Sequence, residues 1–179
     1  MQAIKYIIFA LALIAVSLVV LAPFFRIRPR EKTEAISVSE ILAVKRFLEK
    51  MKSIRLDYRV QLKNTRVSLV ICGIEFNASR VEVVFPVNYS LPVKVNYSLT
   101  SWSLYRKGLV SGFIIKDDGK TVVVKYFRAT VAETEFLSLK EREVGVVYSV
   151  TGSILVNSTE VYRFEGYRCV KVVEVEVGG

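Results

Sequence analysis

The chain contains no histidine, only two cysteines, one tryptophan and two glutamines, Gln2 and Gln61. Without histidine, neither Ser-His-Asp nor Cys-His activation of a nucleophile is possible. Two cysteines alone cannot assemble a zinc site from the usual ligand sets. The Ser-Lys route needs a serine three residues ahead of a lysine, and no serine stands at that spacing. No phosphate-binding or dinucleotide glycine loop is present. The run from Gly108 to Gly112, GLVSG, is not a nucleophile elbow, because its serine lies three residues after the first glycine. Paired carboxylates could act on a sugar, yet the clearest pair, Glu174 and Glu176, alternates along the last predicted strand and reads as its solvent face. The sequence therefore predicts a non-catalytic chain with no cofactor and no metal. Scarce glutamine beside abundant Lys, Arg, Glu, Val and Tyr is the bias of proteins selected against thermolabile amides, and predicts a thermophilic prokaryote, an archaeon, as the source.

What is present begins with residues 6–25, YIIFALALIAVSLVVLAPFF, which carry no charge and a single polar side chain, Ser17. That length is close to the roughly 20 residues needed to cross a hydrocarbon core, so residues 1–25 are expected to be an N-terminal transmembrane anchor. A cleaved signal peptide is the rival reading. Its apolar core is usually shorter and ends in a small-x-small site, whereas here the nearest candidate, Val20, Leu21 and Ala22, runs straight into Pro23. No cysteine near the end of the apolar run offers a lipidation site, and Lys5 is followed by Tyr6 rather than by a prepilin-type junction.

The formal charge is +9, from 26 Lys and Arg against 17 Asp and Glu. The one local basic cluster, Arg26, Arg28, Arg30 and Lys32, abuts the anchor and suits lipid headgroups; after position 53 basic residues are spread along the predicted strands and interleaved with glutamates, which argues against nucleic acid. Four basic residues after the span against one before it would place the body in the cytoplasm. The asparagines point the other way. Of five in the chain, Asn77, Asn88, Asn96 and Asn157 each open an N-x-S/T sequon, although Ser and Thr are only 23 of 179 residues. They are read as glycosylation acceptors, and hence the body as extracellular; the alternative is asparagine in β-turns. The expected location is the cell membrane, single-pass, with the C-terminal domain outside.

Residues 26–36 read as a charged linker. Ser37 with Glu40 forms a capping box, Ile36 and Ile41 stand at the staple positions, and Ile41, Val44, Phe47, Leu48 and Met51 share one face. An amphipathic helix is expected within residues 37–53, packing on a β-rich domain of residues 54–179. From Ser53 the period becomes two. Strands are expected at 54–62, 67–74, 81–85, 93–99, 104–115 with a break near Gly108, 121–130, 144–150, 153–156, 160–165 and 167–177. A turn is expected at 63–65 and a polar connection over 133–143. Asp118 and Gly119 mark the best hairpin, so Asp117 and Asp118 are read as turn chemistry rather than a metal site. The count, about nine or ten strands, predicts an all-β ectodomain: a β-sandwich, Ig-like, or an open barrel.

Cys72 and Cys169 both fall in predicted strands. A disulfide between them would close nearly a hundred residues and contribute about 4–5 kcal/mol in the chain-entropy model; two buried thiols are the alternative. Trp102 and Tyr105, beside Tyr97, are expected to serve core or cross-strand packing, with a ligand-stacking surface the alternative. The expected function is a structural or interaction module of the cell envelope, held by its N-terminal helix and partnered by an envelope or surface-layer protein. The layout resembles membrane-anchored β-domain accessory subunits of archaeal surface filaments, a likeness of arrangement that no motif carries. A pilin-like filament subunit and a carbohydrate- or ligand-binding ectodomain are the alternatives.

Overall fold

The structure, a computed structural model, describes residues 36–88, 90 and 101–179. The predicted anchor, the cluster Arg26, Arg28, Arg30 and Lys32, the strand expected at 93–99, Tyr97 and the sequon at Asn96 lie outside the described residues. Among the described residues no helix is long and apolar enough to cross a membrane.

Helix α1 (Val38–Glu49) starts where its capping box requires. The Glu40 amide donates to Ser37 Oγ at 3.3 Å and the Ser37 amide donates to Glu40 Oε2 at 2.8 Å, so two of the helix's orphan donors are satisfied. Ile36 and Ile41 are both buried, as a hydrophobic staple demands. Ile41, Val44 and Leu48 face the sheet, while Phe47 stays exposed, which makes the apolar stripe narrower than the sequence implied. The helix stops at Met51, whose φ of +53° is left-handed.

Among the described residues eight strands follow: β1 (Ile54–Ile71), β2 (Ile74–Val84), β3 (Trp102–Tyr105), β4 (Gly108–Ser111), β5 (Ile114–Asp117), β6 (Thr121–Ala129), β7 (Glu133–Val156) and β8 (Thr159–Gly178). They form one sheet in the order β3-β4-β2-β1-β7-β8-β6-β5. Of the sandwich and the open barrel expected, the chain builds the latter kind, an open, curled sheet. The expected turn at 63–65 is strand, and the chain reverses instead at Cys72 and Gly73, with φ of +51° and +81°. The polar stretch 133–143 is the first half of β7, and the two strands expected after residue 159 are one, continuous through Gly166 at φ +82°.

The missed turn has a physical origin. Along β1 the buried residues are Leu56, Val60 and Leu62, then Val67, Leu69 and Ile71. Successive side chains point to opposite faces, so the strand changes its buried face across the exposed residues 63–66. The same change occurs on β6, where Val122, Val124 and Tyr126 join one core and Phe127 and Ala129 the other. The first core, with α1, Trp102, Phe85, Leu137, Val175 and Val177, therefore lies on one face of the sheet, and the second, with Ile154, Phe164, Val170 and Val172, on the other.

Side chains draw β6 against β1 and β2. The Asn64 carboxamide donates to the Ala129 carbonyl at 2.9 Å and accepts from the Ala129 amide at 2.8 Å, acting as one more strand residue. Ser79 Oγ donates to the Phe127 carbonyl at 2.8 Å. On the far edge, β4 packs so closely on β2 that a Cβ at Gly108 would run into the Val83 carbonyl.

Candidate interaction surface

The most buried charge in the described chain is Glu174, only 3% exposed. The β6–β8 register sets Tyr126 beside it, and the β7–β8 register sets Arg142 opposite. Tyr126 Oη donates to Glu174 Oε2 at 2.9 Å, Arg128 approaches the same oxygen at 3.6 Å, and Arg142 reaches Oε1 at 3.3 Å. Burial, then the hydrogen bond to Glu174, pushes the Tyr126 phenol up to about 12. The expectation that Glu174 lies on a solvent face is thus corrected: β8 changes its buried face here, and residues 172–175 are buried on both sides. With both oxygens occupied by groups from neighbouring strands, the carboxylate ties β6, β7 and β8 together.

The Asp117–Asp118 hairpin is turn chemistry, as expected. Asp117 Oδ1 accepts from the Gly119 amide at 2.7 Å, and Asp118 Oδ1 accepts from Lys120 at 2.9 Å and Thr121 at 2.7 Å. Asp117 also accepts from Tyr162 Oη at 2.6 Å and pairs with Arg168 at 3.4 Å. The Tyr162 hydroxyl, then the Gly119 amide, hold the Asp117 carboxyl below its ordinary range.

Cys72 and Cys169 are free thiols, so the expected disulfide is corrected. Cys72 sits in the β1–β2 turn and packs with the second core, over Gly152. Cys169 stands next to Val170, which belongs to that core, and so points to the opposite face. The sheet backbone separates the two sulfurs. Trp102 is fully buried against Phe127, ring centroids 5.0 Å apart, which is the core packing expected of it rather than a ligand-stacking surface with Tyr105. Of the sequons, Asn77 is exposed on β2, Asn88 is exposed beyond its end, and Asn157 is exposed in the β7–β8 turn at φ +49°. Asn157 Oδ1 accepts from the Ser68 amide at 3.2 Å, and Ser68 is the β1 partner of Asn77, so two sequons flank one residue.

Two surface features remain, neither visible as a motif. The first is a cleft of about 600 Å³ lined by Arg55, Arg59, Glu133, Thr134, Glu135, Phe136 and Gly179. It opens where β1 parts from β7: Arg55 faces Phe136, but the next contact is Val60 with Thr134. Arg59 bridges the gap to Glu135 at 3.0 Å.

The second is an apolar strip on β7 and β8. Tyr148 and Tyr167 are 65% and 64% exposed and stack with centroids 6.3 Å apart at 21°. Val150, 64% exposed, and Val146, 40% exposed, continue the strip along β7, with Cys169 and Lys171 beside them on β8. Contiguous exposed apolar side chains of this kind mark contact surfaces, and tyrosine is enriched in them because it offers a rigid apolar body with a polar tip. In comparison with family models, curated proteins and solved structures, the chain matches none.

Proposed function

We propose that this chain is a membrane-anchored, extracellular β domain serving as a non-catalytic protein-interaction module of the cell envelope. The observation that carries the reading is the strip Val146, Tyr148, Val150 and Tyr167, apolar surface left in water on the face opposite the second core. The anchor at residues 6–25 and the sequons at Asn77, Asn88, Asn96 and Asn157 support the membrane and extracellular parts. The test is a photo-crosslinker placed at Tyr148 in the native envelope, with a second at exposed Lys116 on β5 as control. Protein adducts are expected at position 148 in clear excess over 116; equal or absent adducts overturn the interaction role. Glycopeptide mapping of native protein tests the compartment, with all four asparagines unmodified refuting the extracellular placement.

The cleft favours a second reading, a ligand-binding ectodomain, because an exposed aromatic ring beside polar and charged side chains of both signs suits a sugar. A glycan array probed with wild type and Phe136→Ala decides it: binding that survives the substitution, or no binding at all, removes this reading.

A further inference from the structure

We propose that the middle of β7 pairs with β7 of a second copy, antiparallel about a two-fold axis at Val147. This inference rests on reading the strip as an interaction surface and names its partner. β8 pairs with one edge of β7 along nearly its whole length. The other edge meets β1 only at residues 133–137 and 154–156, and among the described residues no strand pairs with it over 138–152. An open edge presents backbone donors and acceptors to any passing strand, and monomeric proteins blunt such edges with Lys or Pro. Lys140, Glu141, Arg142 and Glu143 charge the first part of this edge, but no charged residue and no proline occurs from Val144 to Thr159, in a chain that is 24% charged overall.

The edge is also self-complementary, which a two-fold contact requires. The β7–β8 ladder is interrupted at Val144, an extra residue on β7, and at Val150, where the extra residue is on β8, each three residues from Val147. An axis at Val147 sets these two interruptions opposite each other and leaves the regular stretch 145–149 to pair with itself. Val146 then faces Tyr148 of the other copy on the exposed side, a branched-aromatic cross-strand pair of the kind that stabilises sheets. Further out, Glu143 meets Thr151, Arg142 meets Gly152 and Glu141 meets Ser153, so no like charges are opposed. The stacked Tyr148 and Tyr167 widen the apolar seam beyond the edge itself.

The test uses the full chain in detergent. In a Cys72→Ala/Cys169→Ala background, the pair Val146→Cys and Tyr148→Cys brings opposed Cα atoms to about 4.5–5.5 Å across the dimer, within reach of a disulfide. Mild oxidation is expected to give covalent dimer, whereas Val146→Cys with Val150→Cys, which this register does not oppose, gives at least about tenfold less. Equal yields from the two pairs overturn the register and the proposal with it. Independently of any cysteine, sedimentation of the wild type should show a dimer that the exposed changes Val146→Lys and Tyr148→Lys reduce at least about tenfold. A wild type that stays monomeric at about 100 μM refutes the dimer. If that monomer still gives heterologous adducts through Tyr148, the interaction module stands and only the self-pairing fails; if it gives none, both fall.

Discussion

Removing the Glu174 carboxylate tests whether the three strands around it are tied there. Arg128 and Arg142 are 59% and 61% exposed, so water already screens them and each pair contributes about 0–1 kcal/mol. The Tyr126 hydrogen bond is different, since it lies buried on a charged acceptor and is worth about 1.5–3 kcal/mol. Glu174→Ala should therefore cost about 3 kcal/mol, most of it from the stranded phenol, and lower the midpoint of thermal unfolding by roughly 6–12 °C for a chain of this size. Urea unfolding followed by fluorescence is a suitable assay, because the single tryptophan, Trp102, is buried against Phe127 in the other core and reports whether the loss spreads across the sheet. A cycle with Tyr126→Phe isolates the shared term, expected at about 1–2 kcal/mol. The apolar double change Tyr126→Phe/Glu174→Leu should recover much of the loss, since it leaves no buried polar atom unpaired. A cost below about 1 kcal/mol for Glu174→Ala, or a coupling below about 0.5 kcal/mol, refutes the reasoning.

Asn64→Ala leaves both the amide and the carbonyl of Ala129 without their partner, so a loss of about 2–3 kcal/mol is expected, with hydrogen exchange at the Ala129 amide accelerated. Gly108→Ala forces β4 away from the Val83 carbonyl and should destabilise by about 1–3 kcal/mol; unchanged stability would show that β4 does not pack against β2 as described. Burial is the first cause that raises both Tyr58 and Tyr126 from 10.0 to about 12. The folded state holds these phenolic protons more tightly than the unfolded chain, so their stabilisation is complete below pH 10 and is lost between pH 10 and about 12. Ultraviolet titration should show tyrosines ionising late, Tyr58 and Tyr126 among them, and Tyr126→Phe should remove one from the late phase.

Local signals carried the short-range structure. The capping box at Ser37 and Glu40, the period-two alternation from Ile54 and the Asp118–Gly119 hairpin are all set by a few neighbouring residues, and all formed as read. Where strands change their buried face the same rules misled. Residues 63–66 look like a turn because four exposed residues interrupt an alternating pattern, but a strand crossing between two cores shows the same interruption. Residues 133–143 look like a connection because neither face of that part of β7 is well buried. Pairing with β8, and with β1 at its start, holds it extended instead.

The sequence by itself determined that the body would be β-rich with one amphipathic helix, because hydrophobic periodicity and capping act over a handful of residues. Only the tertiary structure decided that one curled sheet carries a core on each face, because that depends on which strand lies against which. The same curl turned Glu174 from a surface residue into a buried tie, placed Cys72 and Cys169 on opposite faces, and left Val146, Tyr148, Val150 and Tyr167 in water. None of these could be read from the residues' own neighbours, since burial belongs to the face of the sheet rather than to the residue.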